Sequence, residues 1–174
     1  MKVEVILMEN KQLANITNTE MEESNLNGLF DDNLGNMIAN LGSTKKCYNS
    51  FKLDTPEDKV AFYNMVNNTN AKLKDHINEE FTLKNVYIEV IQCEQVDSNG
   101  ELTGVKEDCP RIVLASDDNK AYQCVSFGVL SSLNRIFGIF GFPNQWKGGL
   151  KVKAKSVSTK NGRSTLVLEL VSIK

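Results

Sequence analysis

The segment Leu150-Lys-Val-Lys-Ala-Lys-Ser-Val157, followed by Ser158-Thr-Lys-Asn-Gly162 and by Ser164-Thr-Leu-Val-Leu-Glu-Leu-Val171, reads as two strands joined by a tight turn. Apolar and polar residues alternate along both halves, and the polar, Gly-ended pentapeptide between them has the chemistry of a turn. Upstream, the apolar runs Arg111-Ile-Val-Leu-Ala115 and Ala121-Tyr-Gln-Cys-Val125 flank a second polar turn, Ser116-Asp-Asp-Asn-Lys120. Between the two pairs, Phe127 to Phe140 carries its apolar residues at helical spacing. The order is strand, strand, helix, strand, strand.

Further upstream, Thr82 to Val96 alternates Val86, Ile88 and Val90 with Tyr87, Glu89 and Ile91, and reads as the strongest strand. The turn Asp97-Ser-Asn-Gly100 follows, and Glu101 to Asp108 returns as a polar edge segment. A helix is expected from Pro56, because Thr55 is a good N-cap, proline suits the first helical position and Glu57 and Asp58 favour the positive end of the dipole. It carries Val60, Phe62, Tyr63 and Val66. Gly42 to Leu53 reads as a strand with Cys47, Phe51 and Leu53 on one side, and residues 1–8 as another short one. Paired strands, in place of strands alternating with helices, exclude a parallel α/β sheet. The expected class is mainly β with small α insertions: a five-stranded oligonucleotide-binding (OB) Greek-key barrel with a helix between strands three and four. Residues 1–40 are expected to form an acidic N-terminal arm and 41–174 the barrel domain. Within the arm, Leu26-Asn-Gly-Leu-Phe-Asp-Asp32 reads either as a partner-docking peptide or as a helix start packing on its own core.

A chain of 174 residues can bury one good core without disulfide staples. No uninterrupted apolar run of about 18 residues exists, so no transmembrane helix or other membrane association is expected. The N-terminal run lacks a small-residue cleavage site, so an intracellular protein is expected, in the host cytoplasm if it is viral. Net charge is −2, but it is unevenly spread. Residues 1–119 hold 11 Lys+Arg against 21 Asp+Glu, net −10, whereas residues 120–174 hold 9 against the single acid Glu169, net +8. Such asymmetry suggests a polyanion-binding face beside an acidic segment.

Catalytic signals are sparse. There is no phosphate loop, no G-x-S-x-G, no H-E-x-x-H and no dinucleotide fingerprint. The four cysteines, at 47, 93, 109 and 124, form no C-x-x-C pair, which speaks against zinc and redox motifs and for buried thiols. His76 is the only histidine and reads as a surface residue. Asp117 and Asp118 could belong to a small nuclease, but a two-metal site needs carboxylates converging from several elements, and turns favour Asp on backbone grounds alone. The chain therefore reads as a non-enzyme without cofactor or metal.

Binding signals are denser. Lys151, Lys153 and Lys155 alternate, so their heads share one face of a strand while Val152 and Ala154 serve the other. Lys160 and Arg163 lie in the following turn. Lys120 and Tyr122 lie one hairpin away, Trp146 and Lys147 just ahead, and Lys45, Lys46, Tyr48 and Lys52 on an earlier strand. Cations that track phosphates, with rings on which bases stack, are what a single-strand binder needs. Whether Trp146 belongs to core or contact stays open, and the same groups would serve RNA as well as DNA. The alternative is an OB-type protein-interaction module that binds a host or viral replication protein.

The run Leu114-Ala-Ser-Asp-Asp-Asn-Lys-Ala-Tyr122, the helix, Leu150-Lys-Val-Lys-Ala154, Ser158-Thr-Lys-Asn-Gly162 and Leu166-Val-Leu-Glu-Leu170 together resemble the single-stranded DNA-binding proteins of small protein-primed tailed phages. The resemblance covers residues 83–174 and, more faintly, Asn49-Ser-Phe-Lys-Leu53. It implies an OB-type protein that coats and protects displaced strands during phage DNA replication, without sequence preference, nucleotide cofactor or metal. Lys151, Lys153 and Tyr122 fall on matching positions. The acidic first forty residues and the helix at 56–68 depart from the family pattern, and the arm is expected to contact replication proteins or to lie on the basic face when DNA is absent.

Overall fold

A computed structural model describes residues 47–172 apart from Asn70, Ser98 and Asn161. The expected strand at 1–8, the acidic arm, Lys45 and Lys46 lie outside the described residues. The described chain runs β1 (Cys47–Asn49), α1 (Pro56–Asn68), a 3-10 turn (Leu73–His76), β2 (Glu80–Val96), β3 (Leu102–Ser116), β4 (Ala121–Val125), α2 (Phe127–Phe140), a second 3-10 turn (Pro143–Gln145), β5 (Leu150–Ser158) and β6 (Ser164–Ser172).

The strands form one six-stranded antiparallel sheet in the order β4-β3-β2-β5-β6, with β1 added to β2. The long β2 organises it. Its first residues pair with β5 (Glu80 to Lys153, Leu83 to Leu150), its middle pairs with β1 (Ile88 to Tyr48), and from Leu83 to Val96 it pairs with β3. Among the described residues the fold is mainly β and barrel-like, with two α-helices. The edge segment 101–108 and the Arg111 run, expected as separate strands, are one continuous β3 through Cys109-Pro110. Pro110 is tolerated because β4 reaches only to Arg111, so β3 is an edge there.

Inward residues follow the period of two. Leu83, Val86 and Ile88 of β2, Ile112 and Leu114 of β3, and Val152 and Ala154 of β5 are fully or almost fully buried. They pack against Val129, Leu130, Leu133 and Ile136 of α2. Leu73 of the first 3-10 turn is sealed among them. The chain around it crosses the structure, since Gln123 N of β4 donates to Ala71 O (2.8 Å) and Asn78 N donates to Ala154 O of β5 (2.8 Å).

α1 starts as its sequence dictates. Thr55 Oγ1 accepts from Asp58 N and Asp58 Oδ2 from Thr55 N, both at 3.1 Å, a reciprocal cap behind Pro56. The helix lies on the outer side of β2, where Phe62 meets Tyr87 edge-on (5.5 Å) and Phe51 (5.3 Å). Arg111 fastens it: the guanidinium donates to Glu89 (2.7 Å) and to the Val66 carbonyl (2.6 Å). Of the four expected apolar positions, Val66 is buried and Phe62 half-buried, while Val60 and Tyr63 face solvent.

α2 closes the structure against β6. Ser126 Oγ accepts from Val129 N (3.3 Å), capping the helix, and donates to Leu166 O (3.1 Å). Nearly two turns on, Ser132 Oγ accepts from Leu168 N (3.1 Å) and donates to Gly128 O (2.9 Å). Gly128 lies between them. A Cβ there would stand 2.3 Å from Leu166 O, so only glycine permits the approach. The helix ends at Gly141 in the left-handed region (φ 72°), whose N–H returns to Phe137 O (3.0 Å).

Removal of the Ser132 hydroxyl leaves the buried Leu168 N–H without its partner. Ser132→Ala is therefore expected to lower the unfolding free energy by about 1–3 kcal/mol in urea titration. Gly128→Ala, which must push α2 off β6, should cost at least as much, about 1–3 kcal/mol for an overpacked contact.

Candidate nucleic-acid interface

Residues of odd number on β5 point away from the core, because Val152 and Ala154 point into it. Lys151, Lys153 and Lys155 thus form one outward row, and all three are half-buried along their stems. None of the three is bare. Lys151 Nζ lies 2.8 Å from Glu80 on β2, Lys153 lies 3.2 Å from Glu169 on β6, and Lys155 contacts the same Glu169 carboxylate. Register explains the pairing, since Glu80 and Glu169 are both direct neighbours of Lys153 in the ladder. The Lys151 and Lys155 ammonium groups hold Glu80 and Glu169, respectively, below the usual carboxylate range, with Lys153 assisting at both.

The row continues at both ends. Lys160 and Arg163 are exposed in the β5–β6 turn. At the other end, Lys147 is exposed in the loop before β5. Gly149 (φ 92°) brings that loop onto β2 so closely that a Cβ would stand 2.6 Å from Leu83 O and 3.1 Å from Lys84 Cδ. Lys84, not singled out from the sequence, therefore belongs beside this end of the row. So does the β3–β4 turn: Asp117 N donates to Thr82 O (3.1 Å), and Thr82 is the register partner of Lys151. Lys120 in this turn pairs with Asp118 (2.7 Å). Lys120, with help from Ser116, holds the Asp118 carboxyl down at about 2, and Asp118 in return raises the Lys120 pKa. Lys52 is exposed in the loop after β1.

The rings depart from expectation. Tyr48, expected beside the cations as a stacking surface, is 2% exposed and packs on Phe137 (5.5 Å) and Phe142 (5.9 Å). Tyr122 is 6% exposed, wedged between Phe81 (4.8 Å) and His76 (4.9 Å). Both occupy inward positions of their strands, which alternation dictates and which the nearby lysines obscured. Trp146 lies in between. Its ring is half-buried against Phe137 (6.1 Å), and its Nε1 donates to Gly141 O (2.9 Å). Tyr63, on the outer face of α1, is 66% exposed. Its helix and the pairing acids Glu80 and Glu169 were visible in the sequence, but their placement was not.

Residues 41–171 match the family model described as Phage Single-stranded DNA-binding protein. The chain belongs to that family. Neither the comparison with curated proteins nor that with solved structures gives a match. Phage single-stranded DNA-binding proteins act on single-stranded DNA in phage replication and are a DNA-binding, non-catalytic family. Among the described residues no three His, Cys, Asp or Glu side chains come together as a metal site, and Asp118 is bonded to Ser116 and Lys120. No described helix is long and apolar enough to cross a membrane. All four cysteines are free, with Cys47 and Cys109 buried.

The ion pairs set a pH response. A carboxyl whose folded pKa lies below its unfolded value contributes stability that is complete above the unfolded value and is lost as pH falls through the folded one. Glu80 and Glu169 start from an ordinary value of 4.5. Their contribution should be constant from pH 7 to 5 and disappear below 4.5, and thermal melts of Glu169→Gln should lack its share of that acid-side loss. Tyr122→Leu should lower stability by about 1–3 kcal/mol in denaturant titration, while the folded protein keeps its DNA affinity.

Proposed function

We propose that the chain coats single-stranded DNA without base preference, the phosphates tracking the β5 row. Lys151, Lys153 and Lys155 form the centre, Lys160 and Arg163 one end, and Lys120, Lys147 and Lys84 the other. The observation that carries this reading is the row itself: three cations at strand period on an outward face, each already placed against a carboxylate that a phosphate can replace. The partly open Trp146 and the exposed Tyr63 are the rings left for stacking, each base stack being worth roughly 1–3 kcal/mol. The antiparallel hairpins flanking α2 support an OB-type barrel spanning residues 41–174, and the acidic 1–40 segment is assigned to contacts with replication proteins. The site of action is the host cytoplasm, where displaced strands need protection. RNA would engage the same row through its phosphates.

With five phosphates engaged, log affinity should fall with log salt at a slope of about −3.5, at about −0.7 per contact. Lys153→Ala/Lys155→Ala should weaken binding to labelled poly-dT and flatten that slope by about 1.4. Glu169→Gln, which releases both lysines, should tighten binding severalfold. Unchanged anisotropy titrations for both variants would remove the β5 row from the interface.

A further inference from the structure

The outer part of the β2–β3 hairpin, Gln92 to Asp108, is built as an arm. β1, β4 and β5 pair with the hairpin only nearer the body, reaching Glu89, Arg111 and Leu83 respectively. Beyond them, among the described residues, the two strands pair only with each other. Gln92 donates to Asp108 and Gln95 to Glu107 (2.8 Å), Thr103 Oγ1 donates to Gln95 O (3.1 Å), and Gly104 N donates to Glu94 (2.8 Å). At about 3.3 Å per residue the ribbon stands about 20 Å clear.

A two-stranded ribbon alone is marginal in water. This one also exposes Val96 (48%), Leu102 (67%) and Val105 (53%) near its tip. Residues 92–108 hold five acids and one lysine, net −4. Phosphates are repelled by that charge, so the arm is unsuited to embracing DNA. A surface that is both apolar and basic would suit it.

The chain carries such a surface at the base of its own arm. A groove of about 400 Å³ is lined by the apolar Ile91, Cys124, Val125 and Leu166, by the polar Arg111 and Gln123, and by Lys72 and Lys74. Both lysines are exposed, and neither has an acidic partner among the described residues. The groove lies between the 72–74 segment and β4, with single residues of β2, β3 and β6 completing it, and none of the β5 lysines lines it.

We propose that the arm of one copy docks in the groove of the next, so that copies line up head to tail. Acid meets base and the three apolar tip residues meet an apolar floor. The two surfaces differ, so the contact is heterologous and can repeat from copy to copy instead of ending at a pair, as a protein laid along a strand requires. The proposal concerns contacts between copies, and it uses the family's DNA binding only as a readout.

Glu101→Lys/Glu107→Lys reverses the arm, Lys72→Glu/Lys74→Glu reverses the groove, and a chain with all four changes matches them again. Each is titrated on a short oligonucleotide that holds one copy and on long poly-dT that holds many, with sedimentation of the DNA-free chain alongside. Both double variants should bind the short oligonucleotide as the wild type does. On poly-dT each should need at least about tenfold more protein for coverage, about 1.4 kcal/mol per contact. The fourfold variant should recover coverage, and DNA-free self-association should follow the same order. Wild-type coverage by either double variant would overturn the proposal, as would equal losses on short and long DNA or failure of the fourfold variant to recover.

Discussion

The contact between α2 and β6 is the constraint on which the rest depends. A sheet that curls but does not pair its first and last strands leaves backbone groups facing the core, where each unpaired one costs free energy. Here Ser126 and Ser132 supply the missing partners for Leu166 and Leu168, and Gly128 lets the helix come close enough to do so. The helix therefore closes the barrel where a strand pair otherwise would. Its apolar face then fills the interior opposite β2 and β3, and the outward side of β5 is left for other work.

Much of this was legible because it is periodic. The 150–171 hairpin, the helix at 127–140 and the cap at Thr55 each follow from local rules that tertiary packing did not override. The continuous β3 was harder to see, since Pro110 signals a break and only the absence of a neighbour at that point makes it harmless. Tyr48 and Tyr122 were misjudged because sequence proximity to lysine says nothing about which face a ring takes. The alternation that assigned the lysines outward would, applied to Leu114 and its partner Tyr122, have turned that ring inward.

The proposed row is visible in the sequence in its cations but not in its anions. Glu80 belongs to a strand that the linear sequence separates from β5, Glu169 to the other half of its hairpin, and only the register brings both beside Lys153. Among the described residues, the acids of the first 119 positions lie partly beside the β5 lysines, as Glu80 of β2 does, and partly along the hairpin arm.

The pairing of the β5 lysines has a kinetic side. A bare ammonium row would release a strand only by separating charges, and the strand would leave slowly. In the proposed binding mode each phosphate oxygen leaving Lys151, Lys153 or Lys155 has a carboxylate oxygen waiting within reach of the same lysine. Release would then be an exchange of anions at these three positions. A coat of the proposed kind would hold a strand under many contacts and still be peeled from one end by whatever next needs the bases.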